Sequence, residues 1–295
     1  MAWLRADGSE TPFDFPDAAY EQIQISPDGK TLALVQQTEQ DRWTLSLVDL
    51  QTRKARTLYE GKFPYMRAVW SPDSRRLVVS LIPDGRQFAN LFVIPIDAPE
   101  KMEQLTREPL YNQFPTSWSG AANAILFIEG EHPGSGYDTM LLPLDTRRPK
   151  LLVRAPGEER TPSFSPDGRF FTYTTDIDEG VWMQDVAQTR PPRRIASRDD
   201  RNPLWSPFGD RIYYLEGNNA VMEVMVDKKG TAGAPHRLLT ANVPLFPDAT
   251  SRGFTVARDR RILILHDAPN QSLVGTEINV VVNWFTELKR LLPVD

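Results

Sequence analysis

Ile25-Ser26-Pro27-Asp28-Gly29-Lys30 is answered by Trp70-Ser71-Pro72-Asp73-Ser74-Arg75 and by Phe164-Ser165-Pro166-Asp167-Gly168-Arg169. A fainter copy is Trp205-Ser206-Pro207-Phe208-Gly209-Asp210. Spacing identifies two eroded ones, Trp118-Ser119-Gly120-Ala121-Ala122-Asn123 and Val256-Ala257-Arg258-Asp259-Arg260-Arg261. The serine positions 26, 71, 119, 165, 206 and 257 follow one another at intervals of 41–51 residues. A period of this size belongs to propellers and solenoids, in which each unit hides its apolar surface against the next.

Behind each phrase stands a short run of strand type, among them Leu32-Ala33-Leu34-Val35, Ile125-Leu126-Phe127-Ile128 and Ile212-Tyr213-Tyr214-Leu215. Counted from the serine, the sixth residue is always bulky: Leu32, Leu77, Ile125, Phe171, Ile212, Leu263. The eighth is bulky too: Leu34, Val79, Phe127, Tyr173, Tyr214, Leu265. Residues two apart share one face of a strand, and these runs are too short for buried helices. A further run closes most units on an aspartate, as in Leu47-Val48-Asp49 and Met225-Val226-Asp227, and a shorter strand follows. Each unit therefore reads as a four-stranded antiparallel meander whose first hairpin is the Pro-Asp-Gly phrase. Proline presets φ there, aspartate bonds nearby backbone and glycine accepts positive φ.

The fold class predicted is all-β, a six-bladed β-propeller in one domain spanning 1–295, with blades starting near 20, 65, 113, 160, 201 and 252. The large residue before each serine (Ile25, Trp70, Trp118, Phe164, Trp205, Val256) is assigned to packing between blades. Ala2-Trp3-Leu4-Arg5 and Ile278-Asn279-Val280-Val281-Val282 are expected to share one blade, closing the ring with strands from both ends. A short helix over about 284–292, capped by Asn283, is expected on the rim.

With 295 residues, 40 % hydrophobic and 25 % charged, the composition is that of a water-soluble globular protein. No run approaches the ~18 apolar residues of a membrane span, and no secretory signal is visible at Met1-Ala2-Trp3-Leu4-Arg5. The absence of cysteine rules out disulfides and thiolate chemistry. A net charge of −5 argues against a nucleic-acid backbone as partner.

The Ser-Pro-Asp-Gly repeats resemble those of TolB-like six-bladed propellers over essentially the whole chain. Further stretches are similar to one subgroup, the sensor propeller that follows the membrane segment of certain bacterial serine/threonine protein kinases, also found free-standing. These are Ala2–Phe13, Tyr111–Ser119, Gly136-Tyr137-Asp138, Leu142-Pro143-Leu144-Asp145 and Val280–Arg290. The resemblance implies a sensor or interaction module with no catalytic residues to carry over. It also implies an extracytoplasmic site if the chain is the sensing end of a membrane-anchored kinase, and a cytoplasmic one otherwise. No kinase motif is present: Asp14-Phe15-Pro16 is not the metal-binding Asp-Phe-Gly.

Candidate chemistry is sparse. His132, His236 and His266 fall in different repeats without a helical partner for a metal. Gly134-Ser135-Gly136 lacks the outer glycine of a nucleophile elbow. Asp176, Asp178 and Glu179 lack calcium-loop spacing. Asp28, Asp73 and Asp167 belong to turns in separate blades. No metal, cofactor or catalytic residue is assigned, and the chain is read as a monomer and not an enzyme.

Five places before each serine stand Glu21, Met66, Phe114, Arg160, Arg201 and Arg252; one place later come Gln22, Arg67, Pro115, Thr161, Asn202 and Gly253. Blades four, five and six thus bring an arginine each to one mouth of the ring. Arg160, Arg201 and Arg252, with Arg67, Glu21, Gln22 and Asn202, form the predicted ligand site. Arginine forks suit carboxylate or phosphate, so a small anionic ligand, peptide or protein is the expected partner. The competing arrangement pairs each arginine with a nearby acid such as Glu158, Glu159, Asp199 or Asp200. The alternative function is a metal-dependent hydrolase working in the channel, which this mixture of one acid and several cations does not favour.

Overall fold

The computed structural model describes the chain except for residues 6–8, 17, 19, 40–41, 63–65, 133–135, 155–156, 178, 198–199, 218–219, 241–252 and 266–295. It contains six four-stranded antiparallel sheets. Five of them follow chain order, and their first strands are Tyr20–Ile25, Ala68–Trp70, Asn112–Ser119, Glu159–Phe164 and Asp200–Trp205. The sixth draws on both ends of the chain. Its order is Glu10–Pro12, Ala2–Leu4, Ile262–Ile264, Phe254–Val256. Ala2–Leu4 pairs on one side with Glu10–Pro12 and on the other with Ile262–Ile264. That strand and the helix expected at 284–292 lie outside the described residues. Among the described residues the one helical turn is Pro99–Lys101, and no helix is long and apolar enough to cross a membrane.

The repeated phrase forms a tight turn with one positive-φ residue in each of the six blades. In blade one the Ser26 hydroxyl donates to Asp28 Oδ1 at 2.6 Å and accepts from the Thr31 N–H at 2.9 Å. The Lys30 N–H donates to the same carboxylate oxygen at 3.0 Å, and Gly29 takes φ 77°. The positive-φ position is filled by Ser74, Asn123, Gly168, Gly209 and Arg260 in the other blades. In blade five Phe208 stands where aspartate is expected, and Asp210 replaces it, accepting the Ser206 hydroxyl at 2.9 Å. Asp73, Asp167 and Asp210 are all held below the ordinary carboxylate value. Burial opposes this, but the serine hydroxyl and adjacent arginines outweigh it, helped by a turn N–H at Asp73 and Asp167.

Packing lies between the sheets. Six apolar clusters each join two successive blades, the sixth and first included. Alternation of side chains along each second strand produces this. In blade three Ile125 and Phe127 face blade two, while Ala124 and Leu126 face blade four. In blade one Leu32 and Leu34 pack toward blade six, and Ala33 and Val35 toward blade two. Strands sandwiched in this way read as continuous apolar runs, because both faces are core.

The sixth repeat is set in a different register from the other five. In the sixth repeat Ile262 and Ile264, not Leu263 and Leu265, face the preceding blade, and Leu263 and Leu265 face blade one. The cause is a shorter turn. Val256 pairs with Ile262, whereas Ile25 pairs with Leu32 and Trp205 with Ile212. One residue is missing between the strands, and a one-residue slip exchanges the two faces.

The turns also touch one another around the ring. The Asp28 N–H donates to Ser74 Oγ at 3.0 Å, and Arg258 Nε donates to the Pro27 carbonyl at 2.6 Å. Arg260 pairs with Asp210 at 2.9 Å. Glycines mark the remaining junctions. A Cβ on Gly120 would lie 3.4 Å from Pro72, and one on Gly209 3.4 Å from Pro166. One on Gly168 would lie 2.6 Å from the Ala122 backbone nitrogen, whereas one on Gly29 meets nothing within 4 Å. Gly29→Ala is therefore expected to cost about 1 kcal/mol, from positive φ alone. Gly168→Ala should cost clearly more, about 3 kcal/mol, because a backbone of the preceding blade must move. Urea unfolding midpoints of the two variants check this, and equal losses would show that the turns are not in contact.

Candidate functional site

The first strands of the blades are the innermost, and each exposes an edge of N–H groups with no ladder partner on the channel side. Side chains of the neighbouring blade meet several of them. Gln22 Oε1 accepts the Ala68 N–H at 2.9 Å while its Nε2 donates to the Ala68 carbonyl at 3.0 Å. Gln24 Oε1 accepts the Trp70 N–H at 3.0 Å, and the Trp70 indole donates to the Gln24 carbonyl at 3.0 Å. Ser117 Oγ accepts the Phe164 N–H at 3.0 Å, and Thr255 Oγ1 the Ile25 N–H at 3.2 Å. A buried backbone donor left unmatched is costly, so these latches both join blades and protect strand edges.

At the turn end of the channel, residues from all six inner strands surround one cavity of about 270 Å³. Its walls include Trp70, Trp118, Phe164 and Trp205, with Pro27, Pro72, Pro166 and Pro207 at the turns. The sequence reading gave the aromatic residues to packing alone. They do pack, Trp70 being 2 % exposed, yet the same side chains also form this wall. Among the described residues the charged one lining the cavity is Arg258, at the position where four other blades carry proline, and no described acid, histidine or lysine lines it.

The predicted arginine site lies at the opposite end of the same strands. There Arg160 bonds Glu158 through both Nε, at 2.9 Å, and Nη2, which is the acid pairing weighed against ligand binding. Arg201 Nη2 donates to the Gly217 carbonyl at 2.9 Å. Arg67 is buried, with Nη1 on the Met66 carbonyl at 2.8 Å, and Gln22 is engaged with Ala68 as above. Asn202 is buried with φ 56°, its counterpart Thr161 has φ 46°, and Glu21 is half-buried. Arg252, Asp199, Asp178 and His266 lie outside the described residues. His236 is exposed, with Nδ1 3.9 Å from Glu223. Asp176 accepts the Glu158 N–H at 2.7 Å, a loop-fixing role.

Sequence reasoning missed a set of buried polar residues at this end. Gln113, Glu159 and Asp200 occupy one equivalent position, six before the serine, and all are buried. Gln113 Nε2 donates to Glu129 at 2.6 Å, and Asp138, opposite Glu129 across the strands, is bonded by Arg154 Nε at 2.7 Å. That bond, then the nearby carboxylates, raises the Arg154 guanidinium further. The signal was available as the near-repeat Glu159-Arg160-Thr161-Pro162 and Asp200-Arg201-Asn202-Pro203. Among the described residues no group of three or more histidines and acids is arranged to hold a metal.

No family model matches the chain. A curated relative, an uncharacterized peptidase YuxL of Bacillus subtilis, is 25 % identical over 173 residues. The match covers 58 % of this chain and 24 % of the relative, so the chain spans about a quarter of that protein's length. Among solved structures, a putative TolB from Agrobacterium tumefaciens is similar with a TM-score of 0.60 at 19 % identity, covering 78 % of this chain and 82 % of that one. TolB from Acinetobacter baumannii gives 0.58 at 16 % identity, over 81 % and 66 %. An oligogalacturonate lyase in complex with manganese gives 0.56 at 17 %, over 82 % and 69 %. At these identities the likeness concerns architecture, and the chain has the TolB-like six-bladed propeller fold.

Proposed function

We propose that the chain is a non-catalytic binding propeller that takes a ligand at the turn end of its channel. The observation that carries this reading is the cavity built jointly by all six blades. It is walled by aromatic and proline side chains, and among the described residues no acid, histidine or lysine lines it. Ligand sites are typically such concave, mostly apolar places with a few convergent polar groups. The turn end is favoured over the arginine end because Arg160 is already matched by Glu158, whereas Arg258 makes no ion pair among the described residues. The likeness to kinase sensor propellers supports reading the bound molecule as a signal.

A lyase and a peptidase among the similar proteins make catalysis the reading to test against. The chain is expected to give no saturable turnover of ester, lactone or oligogalacturonate substrates with calcium or manganese added. Ligand-observed NMR with a fragment set should nevertheless detect binders that change the emission of Trp70 and Trp118. Saturable turnover would contradict the proposal.

A further inference from the structure

The chemistry of the turn-end cavity can be read from which hydrogen-bonding capacity its polar residues have already used. Gln24, Ser117 and Thr255 come from blades one, three and six and line the cavity. Each spends an oxygen lone pair on a backbone N–H of the next blade. A hydroxyl or amide committed in this way keeps its protons, so each can still donate to the channel. The turn serines contribute little, since the hydroxyls of Ser26, Ser165 and Ser206 are donated to Asp28, Asp167 and Asp210. To these donors is added Arg258. Its Nε is fixed on the Pro27 carbonyl, and the residue is exposed and lines the cavity. The arginines beside it are neutralised: Arg260 by Asp210 and Arg261 by Asp259. Among the described residues the cavity therefore combines several donors, one cation without an ion pair, no carboxylate and apolar walls.

We propose that this end of the channel binds the carboxylate of a small organic acid. Arg258 is its counter-ion, Gln24, Ser117 and Thr255 are its donors, and the acid's apolar body lies against the aromatic wall. The inference rests on reading this end as the binding site and adds the ligand class. One fork suits a carboxylate bidentately, and a single cation matches a single negative charge. A volume of about 270 Å³ is near the lower edge of small-molecule sites, which favours a compact acid over a folded partner.

The test uses the full chain with three probes that share a phenyl body: 3-phenylpropanoate, 3-phenylpropanamide and phenyl phosphate. Binding is read by tryptophan emission and ligand-observed NMR. The acid is expected to bind about tenfold or more tightly than the amide, as charge-assisted hydrogen bonds to one arginine allow. Arg258→Gln should bring acid and amide to within roughly twofold, Arg258→Lys should keep part of the preference, and Arg260→Gln should keep all of it. Equal binding of acid and amide by the unaltered chain would overturn the carboxylate assignment while leaving the binding site in place. So would tighter binding of phenyl phosphate, or an acid preference that survives Arg258→Gln. If none of the three probes binds the unaltered chain, the assignment of this end as a binding site falls with it.

Discussion

Trp70→Ala is expected to lower the unfolding free energy by about 4 kcal/mol, a large part of the ~5–15 kcal/mol that holds a typical domain together. Trp70 is nearly fully buried in the cluster that joins blades one and two, against Ala33, Val35 and Leu47 on one side and Leu77 and Val79 on the other. Removing the ring leaves a cavity at a junction whose strands are tied elsewhere and cannot collapse onto it. It also strips the Gln24 carbonyl of its indole donor, adding about 1 kcal/mol. Trp118→Ala, at a half-buried counterpart, should cost visibly less. Denaturant unfolding of both variants checks the ranking. A Trp70→Ala protein as stable as the parent would mean that the blades do not depend on one another.

This dependence also explains why the architecture was legible in sequence while the candidate site was not. Every blade needs a positive-φ residue at its first turn, and blades one, two, four and five add a serine–aspartate pair, so the phrase recurs even where neighbouring positions drift. Phe208 and Asp210 show the limit of that drift, the carboxylate moving two places while the turn persists. The sixth copy differs in register because its turn is one residue shorter, which no local propensity announces, and the apolar run Ile262–Leu265 reads the same in either register. The arginine set was found by equivalence of position, but position does not reveal that Glu158 occupies Arg160. Arg258 was visible too, as a cation at a proline position. Its meaning appears only when the Pro27 carbonyl and the donors of three blades are brought to one cavity.

The strongest demand falls on the sixth sheet, which lacks two of its four strands unless the start of the chain returns to it. Trp3, Leu4 and Phe13 are buried there: Leu4 against Tyr213 and Leu215 of blade five, Trp3 and Phe13 against Ile23, Ile25 and Leu32 of blade one. At about 2 kcal/mol for each large apolar side chain, these three contribute roughly 6 kcal/mol, before the exposed edge of Ile262–Ile264 is counted. The direct measurement is urea unfolding of the chain with residues 1–13 deleted, alone and with a peptide of residues 1–13 added. The prediction is a loss of at least about 5 kcal/mol, or of cooperative unfolding altogether, with stability recovered as peptide concentration rises. A truncated chain that unfolds at the parent's urea concentration, indifferent to the peptide, would contradict a ring that joins its two ends, and with it the cavity that all six blades enclose.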